Sequence, residues 1–108
     1  MSILMFIPDP KDDYDKRFSV PVLTEAVFYE TVLPVAERVG AEMVCRFGIG
    51  IDVDSLNAYQ IQRELRDVIE NLPQTSGVEG YGEPRLRRVI AELQQVFEIK
   101  PKAVLYIG

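Results

Sequence analysis

Histidine and tryptophan are absent from this 108-residue chain, and cysteine occurs once, at position 45. Without histidine there is no ordinary general base near neutral pH and no commonest zinc ligand. A Ser-His-Asp or Cys-His site cannot be built within the chain. A lone Cys45 excludes an intrachain disulfide; it sits in an apolar run, where a thiol acts as a small hydrophobe, and fits a reducing compartment. Long apolar runs are missing too. The opening stretch to Ile7 has no basic flank and meets Pro8-Asp9-Pro10, so it does not read as a signal peptide. No segment approaches the ~20 apolar residues of a membrane helix. The expected location is the cytoplasm.

Positive charge is the minority sign: 12 Lys and Arg against 17 Asp and Glu, a net of -5. The excess lies before residue 55, and the second half is balanced. An acidic surface repels phosphate backbones and anionic lipid, so neither nucleic acid nor a membrane is expected as partner, whereas a basic protein is compatible.

The composition fits a single α/β domain over residues 1–108. Ser2–Ile7 is a short apolar run of strand length. Residues 8–19, rich in Asp and Pro, read as a loop. Ser19 then suits an N-cap, and Val20–Val39 carries apolar residues near the 3.6 period, predicting a helix kinked at Pro34 and stopped at Gly40. Glu42–Asp52 alternates enough to predict a strand, with Gly48 and Gly50 marking a bulge or a close backbone approach. Asp54 or Ser55 caps a helix with its apolar stripe at Ala58, Ile61, Leu65, Val68, Ile69 and Leu72. Residues 74–82 form a glycine-rich loop, Pro84 opens a third helix, and Ala103–Ile107 is a last strand. The expected order is β-α-β-α-α-β: about three strands, mostly parallel, because helices between strands favour crossovers.

Chemistry-bearing patterns are sparse. Ile49-Gly-Ile-Asp-Val-Asp-Ser-Leu56, an apolar strand ending in Asp-x-Asp, resembles the first motif of haloacid-dehalogenase-type phosphotransferases. That resemblance implies Asp52 as nucleophile and Asp54 as acid–base, with Mg²⁺ assistance. The rest of that family's pattern is absent: no strand-ended Ser/Thr follows, and Glu64, Asp67 and Glu70 read as a helix surface. The plainer reading ends a strand at Asp52 and caps a helix with Asp54. Asp9, Asp12, Asp13 and Asp15 lack the glycine and closing glutamate of an EF-hand, and their default is a solvated acidic loop. The Asp-Asp pair after a first strand is similar to that of response-regulator receivers, whose five-stranded fold this chain is too short of strands to match. Arg85, Arg87 and Arg88 crowd the start of the third helix, where an anion site or a solvated face is compatible. Gly77-Val-Glu-Gly-Tyr-Gly82 has no Lys-Ser/Thr after it and is no Walker loop. No cofactor and no metal site are expected.

Glu30-Thr-Val-Leu-Pro-Val-Ala-Glu-Arg-Val-Gly40, the amphipathic Leu65–Leu72 stretch and the Arg88–Phe97 helix leading to Val104-Leu-Tyr-Ile-Gly108 resemble, in layout, small bacterial immunity proteins of polymorphic-toxin and contact-dependent inhibition systems. The resemblance implies a function class, binding and neutralising a cognate toxin, and no particular residue. The expectation is a non-enzymatic protein-binding domain, an immunity-type inhibitor that occludes a basic toxin's active surface. The alternative is a small regulatory or structural domain that self-associates through a strand edge, as a homodimer for example. Recognition is expected on Asp12, Asp13, Tyr14 and Asp15, with Tyr81 and Glu83 as further candidates. Aspartates there would steer encounter, and the tyrosines would supply buried area.

Overall fold

The structure, a computed structural model, describes the backbone of residues 1–73 and 78–108 and, outside residues 78–81, their side chains. Its elements in order are β1 (Ser2–Phe6), α1 (Asp13–Arg17), β2 (Ser19–Thr24), α2 (Glu25–Val27), a π-helical turn (Phe28–Val32), α3 (Leu33–Val39), α4 (Glu42–Cys45), β3 (Ile51–Val53), α5 (Ala58–Asn71), α6 (Val78–Ile99) and β4 (Leu105–Ile107).

The class is α/β, but the sheet corrects the sequence expectation twice. It has four strands, in the order β2-β1-β4-β3, and every neighbouring pair is antiparallel. The direction follows from the connections. β1 reaches β2 through the loop that carries α1, with no long crossover helix. Between β3 and β4 stand two helices packed on each other, α5 and α6. One crossover helix returns the chain for a parallel strand; a second undoes that return, and β4 runs against β3.

β2 occupies residues expected to start a helix. Val20 and Val22 are β-branched and fit a pleated surface. Pro21 is tolerated because β2 is an edge strand. The pairing slips between Ile3↔Leu23 and Leu4↔Pro21, leaving Val22 as the extra residue of a bulge. Val22 and Leu23, neighbours in sequence, are therefore both buried. Helix begins only at Glu25, with the Thr24 hydroxyl accepting from the Val27 amide at 3.2 Å.

Pro34 does not break the helix. The turn before it widens, so that the Leu33 amide donates to the Phe28 carbonyl five residues back. The irregularity expected at Pro34 is this π-turn over Phe28–Val32, and Pro34 follows it in the first turn of α3. Gly40, at φ 78°, ends α3, and the Ala41 amide closes onto Ala36 at 2.8 Å.

The strand expected over Glu42–Asp52 is instead α4, a tight turn and the first two residues of β3. Ala41, Val44 and Phe47, three apart, are all buried, which is helical spacing. The glycines do mark close approaches. A Cβ on Gly48 would run into the Tyr29 hydroxyl, and one on Gly50 (φ +109°) into the Tyr106 hydroxyl. The third helix begins at Val78, with Pro84 inside it rather than at its start.

One face of the sheet, with Ile3, Met5, Val53, Leu105 and Ile107, is buried in a single core that includes Phe28, Ile61, Leu65, Val89 and Leu93. On the other face Leu4, Phe6 and Tyr106 are half-buried and Pro21 and Asp52 exposed. Among the described residues no helix is long and apolar enough to cross a membrane.

Candidate binding site

α1 has five residues, too few to persist without tertiary support. Tyr14 and Phe18 supply part of it by packing against the core, and the rest is electrostatic. The Asp12 carboxylate accepts from the Asp15 amide at 2.9 Å and caps the helix. Asp15 reaches back and accepts from the Lys11 amide at 2.9 Å, a near relative of the reciprocal capping box. Its other oxygen accepts from the Lys100 ammonium at 2.7 Å. Lys100 bridges to Asp12 as well and lies 5.5 Å from the centre of the Tyr14 ring. Asp15 is buried, Lys100 and Tyr14 half-buried, Asp13 exposed. The hydrogen bond from Lys100 holds the Asp12 carboxyl below its usual range, and Asp12 and then Asp15 hold the Lys100 ammonium above its own.

This latch ties α1 to the end of α6, leaving a ridge with a recess on either side. On one side is an open groove of about 790 Å³ that runs between the chain after β1 and the turn before β4. On the other, Tyr14, Arg17 and Phe18 face Glu92 and Gln95 of α6 across a hollow of about 450 Å³. The Tyr14 and Phe18 rings lie 6.2 Å apart.

The structure thus brings Asp12, Asp13, Tyr14 and Asp15 together on one ridge, where the exposed Asp12 and the buried Asp15 both bind Lys100. Glu83 is elsewhere. It pairs with Arg87 at 3.5 Å in the first turns of α6, a rise of about 25 Å along that helix from Lys100. The side chain of Tyr81 lies outside the described residues.

The remaining candidates take structural positions. Asp52 is exposed on edge strand β3. The Asp54 carboxylate accepts from the amides of Leu56 and Asn57 at 2.9 and 3.2 Å, while Asn57 accepts from the Asp54 amide at 3.0 Å, so this pair starts the turn into α5. Glu64 is not the surface residue its helical position suggested. It is buried, and one of its oxygens accepts from the amides of Met43 and Val44 at 2.8 and 3.1 Å, capping α4 from a different helix. Gln60 donates to the second oxygen at 2.9 Å. Cys45 is half-buried against the core. Burial, and then the charges of Glu37, Glu64 and Glu42, raise its pKa and keep it a thiol rather than a reactive thiolate.

Lys100 and the groove escaped the sequence reading. A lysine between the last apolar residue of a helix and Pro101 reads as an ordinary helix end, and its partners lie 85 and 88 residues away. No family model, curated protein or solved structure matches the chain.

Proposed function

We propose that the chain is a non-enzymatic protein-binding domain that recognises its partner with the α1 ridge, as an immunity-type inhibitor does when it covers a toxin's active surface. The observation that supports this reading is the ridge itself: a short latched helix flanked by two recesses. Tyr14 packs on Lys100 and Phe18, so its ring is ordered before contact and loses little freedom on binding. Asp13 is exposed and adds to a net charge of -5, which favours encounter with a basic surface.

The test is co-expression with the product of the reading frame immediately upstream, read as growth rescue and as a complex on size exclusion. Rescue that weakens with Tyr14→Ala supports the proposal. In kinetics on that complex, Tyr14→Ala speeds dissociation, and Asp13→Asn slows association at low salt more than at high salt. No rescue and no complex would count against it. The second reading, self-association, draws on the face bearing Leu4, Phe6 and Tyr106, where the Phe6 and Tyr106 rings meet edge-on at 5.7 Å. Sedimentation of the isolated chain as a dimer that Phe6→Ser dissociates would favour that reading instead.

A further inference from the structure

The two central strands, β1 and β4, are last paired at Phe6↔Tyr106. Just past that pair the two chains line opposite sides of the 790 Å³ groove. That volume falls within the ~300–1,000 Å³ of small-molecule sites. Its apolar lining comes from Ile7 and Pro8 on one side and Pro101, Ala103 and Val104 on the other.

The charges around it are unevenly satisfied. Lys11 is paired with Asp9 at 2.8 Å. Lys100 is taken by Asp15 and Asp12. Lys102 also lines the groove and is exposed, and among the described residues no carboxylate pairs with it. An acidic protein therefore presents one uncompensated cation beside an apolar trough. Asp9 and Asp15 line the same groove but are paired with Lys11 and Lys100, so the lining keeps one net positive charge and nothing to balance a second negative charge on a ligand. A phosphate monoester, carrying nearly two charges, is disfavoured on that ground. A single carboxylate matches.

We propose that this groove binds a small monocarboxylate with an apolar body, the body lying on Ile7, Ala103 and Val104 and the carboxylate meeting Lys102. The proposal does not rest on the protein-binding reading of the ridge.

Amide chemical shifts of the full chain, titrated with decanoate and, separately, with decyltrimethylammonium, test it. The two probes share a tail and differ in the sign of the head. The expected result is saturable shifts at Ile7, Ala103 and Val104 below the concentration at which decanoate forms micelles, with decanoate binding tighter. Lys102→Glu, at an exposed position that the fold does not need, should weaken decanoate by about fivefold and reverse the preference between heads. Val104→Asp, also exposed, should weaken both probes. Absence of saturable shifts at these residues would overturn the proposal. So would equal affinity for both heads in the unaltered chain, or a Lys102→Glu variant that binds decanoate unchanged.

Discussion

Two short helices of this protein depend on a buried carboxylate, and they use it differently. α4, four residues long, has no side-chain cap of its own, and Glu64 of α5 supplies one by accepting from two backbone amides. No lysine or arginine forms an ion pair with Glu64 among the described residues. α1, five residues long, carries its own carboxylates and binds them to a lysine from the far end of the chain. Hydrogen bonds inside a buried region are insensitive to salt, whereas an ion pair at a half-exposed edge is screened by it. α4 is thus built into the scaffold, and α1 is fastened to its outside. The proposed recognition role of α1 draws on that difference, because an element fastened outside the core can be contacted without disturbing it.

The comparison can be strained most severely through the scaffold beneath it. Leu65→Ala or Leu93→Ala empties a fully buried position and should cost about 2–5 kcal/mol, seen as a lower denaturant midpoint. The next largest effect belongs to α4. Glu64→Ala leaves the Met43 and Val44 amides without an acceptor and should cost about 2–3 kcal/mol, with Glu64→Gln recovering part because it keeps an acceptor oxygen. Lys100→Met should affect global stability less than Glu64→Ala does, and the gap between that variant and the unaltered chain should narrow as salt rises.

The latch also has a pH signature. The pKa of Asp12 is lowered on folding, so its contribution is present above the ordinary carboxylate range and is lost as pH falls through the lowered value. The pKa of Lys100 is raised, so its contribution is complete below the ordinary value of 10.5 and is lost as pH rises through the raised one. Amide protection in α1 should stay flat through neutrality and fall at both extremes. The smallest effect is expected away from both helices: Asp54→Asn should shift stability by no more than about 0.5 kcal/mol, because asparagine keeps the oxygen that accepts from Leu56 and Asn57.

The same contrast governs what could be read from the sequence. The stripes Ile61–Leu65–Val68 and Leu86–Val89–Leu93–Val96 are buried as their helical period implies, because period is a local property. β2 was missed because Val20, Val22, Leu23 and Val27 also fall near a helical period, and only pairing with β1 decides between the two. α4 was missed because its cap comes from Glu64, some twenty residues on. Antiparallel pairing was missed because strand direction depends on how two packed helices return the chain. At the candidate site the acidity of residues 12–15 was plain. That Asp12 and Asp15 both bind Lys100, with Tyr14 packed beside it and Asp13 exposed, is a long-range arrangement that no local pattern encodes.

Hydrogen exchange, compared between the unaltered chain and Lys100→Met at neutral pH and low salt, tests the central claim most directly. The amides to follow are those of Asp15, Lys16 and Phe18, which bond within α1 and its cap, and those of Met43 and Val44, which bond to Glu64. The α1 set should lose protection in the variant while the α4 set keeps it. Equal loss in both sets, or no loss in α1, would contradict the view that α1 is a latched element on an independent scaffold.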